Sequence, residues 1–166
     1  MTHWLALWDY LDRNFWGICQ WFGREMEPEE IAWQPIPQVA SIGWNLRHLG
    51  EMLDHYLTHV FHAQEKPHSP KPLVTMMENS QDDGRFKYLP AIMEYHRHLR
   101  PTYRRFLESL CPKDMDKPLS ARPNAHTIAW AVGHIAEHES YHLGKCTLLR
   151  NLILASRERK RPEVRR

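Results

Sequence analysis

The run His134-Ile-Ala-Glu-His138-Glu-Ser-Tyr-His142 carries the sharpest chemistry in the sequence. On an α-helix, residues four apart lie about one turn apart on the same face. An apolar stripe passes through the same stretch: Ala131 and Ile135 before it, Cys146, Leu149 and Ile153 after it. His138 and His142 occupy the stripe positions in between, where core residues belong. Two imidazoles side by side in a core must find partners for their nitrogens. A shared divalent ion is one solution, since neutral imidazole is a common ligand and an i, i+4 pair can reach one ion. Hydrogen bonding to core or groove groups is the other. His134 shares the general face, but Gly133 and Ile135 turn it toward a neighbouring helix and make it a weaker ligand candidate.

A third ligand would favour the ion, and His48 is placed to supply one. It sits beside Leu49 at the edge of an apolar stripe, with Asn45, Met52 and His55 flanking the same stripe. His55, His59 and His62 lie further along and read as solvated or interfacial. His3, His68, His96 and His98 have no spacing that recommends them, and His126 reads as a flank or cap of the last helix. The segment His138-Glu139-Ser-Tyr-His142 also matches H-E-x-x-H, in which the Glu activates a metal-bound water. The extended protease form fails here, because Gly144 comes one position early and Leu148 stands where a third His is required. Glu158 and Glu163, the downstream acids, fall in a basic end, and no strand is available to hold a peptide. Glu139 is kept as a weak candidate general base, against a solvated or supporting role. Arg47, next to His48, is a weak candidate substrate anchor, against a solvated helix face.

These residues need helices to position them, and four helical stretches are legible. In the first, Trp4, Trp8, Leu11, Phe15, Ile18 and Phe22 recur at spacings of four and three, with Gly23 as a stop. In the second, Ile42, Leu46, Leu49, Leu53, Tyr56 and Val60 repeat the spacing, behind Ser41 as N-cap. The third runs from about Leu89 to Leu110 on Ile92, Tyr95, Leu99, Tyr103 and Phe106. Pro101 predicts a kink or break there near Arg97 to Leu99. The fourth runs from about Thr127 to Leu154. No segment alternates like a strand, so the fold class is all-α. Four helices with one apolar face each are best buried as a four-helix bundle. Residues 63–88 form a long link between the second and third helices, with Pro67, Pro70, Pro72 and the turn-like Asp82-Asp83-Gly84. Its length allows those two helices to run parallel, and links this long often cover a site.

Two stretches together carry a family resemblance. Ser41-Ile-Gly-Trp-Asn-Leu-Arg-His48-Leu is followed about 90 residues later by Val-Gly-His-Ile-Ala-Glu-His138-Glu-Ser-Tyr-His142-Leu-Gly144. The pair resembles the DinB/YfiT family, and the likeness covers nearly the whole chain. The resemblance implies a four-helix bundle in up-down-down-up order. It implies a divalent metal, zinc or nickel, held by His48, His138 and His142. It also implies a metal-dependent transferase or related enzyme using a small thiol such as mycothiol, bacillithiol or glutathione. A metal-binding or stress-response protein without turnover is the alternative. One departure stands out: the family often reads His-Arg-Gly-Gln at the last ligand, and this chain reads His142-Leu143-Gly144-Lys145. The ligands survive that change, while any contact served by the Arg and Gln does not.

Composition bounds the remaining classes. The chain has 166 residues, 42% hydrophobic and 25% charged, which suits one globular domain and excludes wholesale disorder. No apolar run approaches ~18 residues, so no transmembrane helix is expected. Asp9 and Asp12 near the start, without a basic n-region, argue against a signal peptide. Cys19, Cys111 and Cys146 are few, odd in number and far apart, which fits reduced thiols in a cytoplasm. The net charge is +2, and residues 157–166 hold six basic and two acidic groups, leaving the rest at −2. A basic end without a basic body does not fit nucleic-acid binding. The reading is one domain over residues 1–156 and a basic tail over 157–166. Trp16 and Trp21 fall off the first stripe, and exposed tryptophans mark interfaces, so a homodimer is expected.

Overall fold

The computed structural model describes residues 2–68, 86–120, 122 and 125–159 of the chain. They form five α-helices: α1 (His3–Glu25), α2 (Pro28–Ile31), α3 (Ile42–His55), α4 (Leu89–Ser109) and α5 (Ile128–Arg159). Among the described residues there is no β-strand, only an isolated bridge between Pro118 and Thr127. No helix there is long and apolar enough to cross a membrane. The predicted turn features Pro70, Pro72 and Asp82-Asp83-Gly84, and the basic residues 160–166, lie outside the described residues.

The four long helices bury their stripes against one another. Both α1 and α3 pack on α4 and on α5. The contacts fix which ends meet. At one end the Trp4 indole of α1 donates to Leu107 O of α4 (3.1 Å), and Phe61, just after α3, stacks on Phe106 (4.3 Å). At the other end Arg150 of α5 pairs with Glu25 of α1, and Cys146 Sγ lies 3.8 Å from Ile42 O at the start of α3. Phe15, Cys19, Phe22, Leu46 and Cys146 are fully buried near that end, and Leu57, Leu99, Tyr103 and Leu107 near the other.

α3 is the most enclosed helix, buried on nearly every face. Two glycines permit this. A Cβ on Gly43 would lie 1.9 Å from Phe86 O, and one on Gly50 would lie 2.7 Å from the Tyr95 ring. Both neighbours approach the α3 backbone more closely than any side chain allows. Ser41 caps the helix as expected, its Oγ accepting from Trp44 N (3.0 Å).

The element ends depart from the sequence reading in five places. α1 runs through Gly23 to Glu25, because Phe22 and Met26 are both core residues and Met26 N closes the last turn on Phe22 O. α3 does not carry its α-geometry to Val60, since Tyr56–Val60 form a π-helical turn. α4 is continuous through Pro101. Pro101 lies on the exposed face of the helix, while Leu99, Arg100 and Tyr103 are held in the core on either side. Thr127 rather than His126 caps α5, its Oγ1 accepting from Trp130 N (3.2 Å). α5 continues past Leu154 to Arg159, where Arg157 donates to the Glu30 carboxylate and to Glu25 O.

A polar layer crosses the interior between the two ends. Arg100 is 2% exposed, lies against the rings of Trp8 and Phe15, and donates to Asp12 (2.5 Å) and Glu139 (2.8 and 3.2 Å). His96 is wholly buried beside Phe15 and donates from Nε2 to Leu46 O (2.9 Å).

Candidate metal centre

The site is built where α3 passes α5. His48 comes from the middle of α3, and His138 and His142 from successive turns of α5. His48 Nε2 and His138 Nε2 are 3.2 Å apart. One ligand atom from each of the three histidines lies within 4.8 Å of the others. Tetrahedral zinc with bonds of ~2.0–2.1 Å sets nitrogens about 3.3 Å apart, so one pair already stands at that spacing.

Neighbouring groups set the proton positions. Asn45 Nδ2 donates to Ser41 O (2.7 Å) and Ala40 O (3.2 Å), which turns Oδ1 toward His142. His142 Nδ1 donates to that oxygen (2.6 Å) and leaves Nε2 as the lone-pair atom. This is how metal-binding histidines are usually oriented, through the ring nitrogen that does not touch the ion. The Trp44 indole stacks on His48 (4.8 Å, 15°) and fixes that ring.

All three imidazoles are held neutral. Burial pushes His48 down to about 4, with help from the charges of His138 and Lys145. Burial pushes His142 down to about 3, with His138, His48 and Lys145 adding to it. His138 is lowered by burial first, then by His134 and Lys145, against Glu137. Neutral lone pairs converging in a buried place are the donor set a borderline divalent ion requires. The residues fit a metal.

The structure thus brings together His48, His138 and His142 as one donor set, with Glu139 and His134 beside it and Arg47 apart from it. The Glu139 carboxylate, which H-E-x-x-H chemistry needs at the metal, is engaged by both terminal nitrogens of Arg100. Burial raises its pKa and Arg100 opposes the rise. Arg47 bonds Glu51 one turn on along α3 (2.8 Å) and covers the Tyr95 ring of α4 (4.1 Å). His134 stacks on Trp130 (4.9 Å) and stands 6.2 Å from the Tyr56 ring. Trp16 packs against the core and Trp21 lies under Arg150, so neither is a bare indole.

A shallow apolar groove opens beside the triad, lined by Leu49, Met52, Leu53, Tyr56 and Ile135 with His134, His138 and Glu139 on its wall. The π-helical turn supplies Tyr56, in keeping with the frequent use of such turns at functional sites. Sequence reasoning missed Tyr56 in this role, and it missed Asn45 as the partner of His142. The signal for Asn45 was its place one turn before His48 on a face otherwise apolar.

An all-helical domain with three converging neutral histidines and an adjoining groove is a candidate metal-binding helical protein. The chain belongs to the DinB superfamily, whose family model matches residues 19–146. A solved structure titled as a conserved protein from Enterococcus faecalis is similar in fold, with a TM-score of 0.67 at 13% identity. The match covers 93% of this chain and 99% of that one. A search of curated proteins finds no match to this chain.

Proposed function

We propose that the protein is a divalent-metal-dependent enzyme acting on small molecules, of thiol-transferase or related type. The observation that carries this reading is the neutral triad set at the end of a groove. His48, His138 and His142 would hold the ion, zinc or nickel, and Asn45 would keep His142 in the metal-binding tautomer. Three protein ligands leave a position open, and an ion held so would lower the pKa of a water or thiol reaching it. The chain's own part is to exclude water with Leu49, Leu53 and Ile135 and to seat an apolar body against Met52 and Tyr56. Glu139 is spoken for by Arg100, so proton transfer falls to the substrate or to His134 on the groove wall.

The same reading includes the up-down-down-up order. The meeting of the α1 start with the α4 end, of the α1 and α5 ends, and of the α5 middle with the α3 start supports it. A homodimer and a cytoplasmic setting complete the proposal. Exposed Leu7, Tyr10 and Leu148 are the apolar surface that a second copy would cover.

The test is elemental analysis of untagged protein beside a His138→Ala, His142→Ala variant. About one equivalent of zinc or nickel in the wild type and none in the variant is expected from one three-ligand site. A wild type that retains no metal after soaking and dialysis would sink the reading. Light scattering that gives a monomer at micromolar concentration would remove the dimer alone.

A further inference from the structure

A cation stands one turn past the triad's last histidine on α5. Lys145 follows His142 by three residues and His138 by seven, so all three share one face of α5. Its ammonium lies over the Tyr141 ring at 4.2 Å. It forms no ion pair with any described residue, although ten of the salt bridges on this molecule join arginine or lysine to carboxylates. The Tyr141 ring in turn meets the His142 ring edge-on at 5.2 Å.

Placing a divalent ion next to an uncompensated ammonium is unfavourable in itself, because the two repel across a partly buried gap. An anion that touches both reverses the sign. A second group points the same way. Trp44 is 7% exposed, its indole borders His48 and His142, and its Nε1 has no hydrogen-bond partner among the described residues. A buried donor left without an acceptor costs free energy that a ligand oxygen or sulfur can return.

We infer that the small molecule entering this site carries a carboxylate, held by Lys145 beside the histidine triad. The inference rests on the metal reading given above and names the charge of its ligand. The apolar groove lies toward His134, one turn before His138, and Lys145 lies one turn after His142. The ligand is therefore two-ended, with an apolar body on the groove side and its charge on the Lys145 side. Arg47, committed to Glu51 and Tyr95, has no part in it.

The experiment is a thiocyanate titration of cobalt(II)-loaded protein, read by the visible bands of the metal. Wild type, Lys145→Gln and Lys145→Arg are compared at fixed ionic strength. Lys145→Gln is expected to weaken thiocyanate about tenfold, as loss of one nearby charge should, and Lys145→Arg to stay within about threefold of wild type. Cobalt bands of equal strength before thiocyanate is added would show that the three ligands are intact in each variant. Equal thiocyanate affinity in wild type and Lys145→Gln, or no response of the wild-type bands to thiocyanate, overturns the inference and leaves the metal reading standing. A wild type with no cobalt bands before any anion is added overturns both.

Discussion

His138 and Glu139 are neighbours on α5, yet they enter two different polar clusters. Glu139 turns to the α1 and α4 side and meets Arg100, whose guanidinium also reaches Asp12 and rests on two aromatic rings. His138 turns to the α3 side and meets His48 and His142. In the first cluster one guanidinium is shared by two carboxylates, so each carboxylate meets a cation. In the second, three neutral rings present nitrogens to one another, and Asn45 holds the far nitrogen of His142. Both clusters are buried, so burial alone does not separate structure from function. Completeness does: a closed ion pair asks nothing of solvent or ligand, whereas converging lone pairs ask for a cation.

The comparison is broken most severely on the closed side. Replacing Arg100 with Met leaves the Glu139 carboxylate buried and unpaired, and should cost about 3–5 kcal/mol of unfolding free energy. The double variant Arg100→Met, Glu139→Met removes both charges and should regain most of that loss. Urea denaturation of the metal-free proteins measures both. Metal content of whatever fraction is folded should stay at the wild-type value in each. If the double variant is as unstable as the single one, the pair is not the self-contained unit described here. If metal is lost from folded protein, the two clusters are not separate.

A smaller effect is expected on the open side. Asn45→Ala takes away the acceptor that sets the His142 tautomer. Loss of such a supporting partner typically lowers metal affinity about 10–100-fold. The ligands themselves remain, so binding is weakened rather than abolished, which a competition titration with a chelating dye resolves. Unchanged affinity would mean that His142 is oriented by packing alone and that the Asn45 bond is incidental.

How far the sequence reached follows from the same contrast. The histidine triad was legible because two of its members interrupt an apolar stripe at helical spacing, a local signal. The third, His48, was marked by its place beside Leu49 and by the resemblance of its surroundings. The long helices were legible for the same reason, as was Ser41 as a cap. Glu139 read as a weak candidate base and Arg100 drew no notice, because each has its partner on another helix and nothing local announces the pair. Pro101 signalled a kink or break, and the helix runs through it without a break, held from both sides by Leu99 and Tyr103. The end of α5 was placed short because Arg157 is fixed by Glu30, 127 positions away. The π-helical turn at Tyr56–Val60 has an apolar pattern that an α-helix would share, so only the backbone distinguishes it.

The smallest expected effect concerns acid. His96 belongs to neither cluster but lies between them, and burial holds it down to about 3, with the charges of Arg100 and Arg47 opposing protonation and the Leu46 carbonyl favouring it. Its ordinary value is 6.5. Above pH 6.5 the ring is neutral in both folded and unfolded chains and contributes no pH dependence. As pH falls below 6.5 the unfolded chain takes up a proton that the folded chain refuses, so stability falls, and it goes on falling until the folded value is reached. His48 and His142 act in the same direction in the metal-free protein. His96→Gln keeps a side-chain donor for the Leu46 carbonyl and removes the titration. One pH unit below the unfolded value, near pH 5.5, it should spare the metal-free protein about 1 kcal/mol of the acid loss seen in wild type. Urea midpoints of the two proteins at pH 7.5 and pH 5.5 give that difference directly. Equal acid losses in both would show that His96 is not the neutral, excluded ring described here. A difference confined to the metal-loaded protein would instead tie His96 to the triad, and the separation of the two clusters would have to be redrawn through α4.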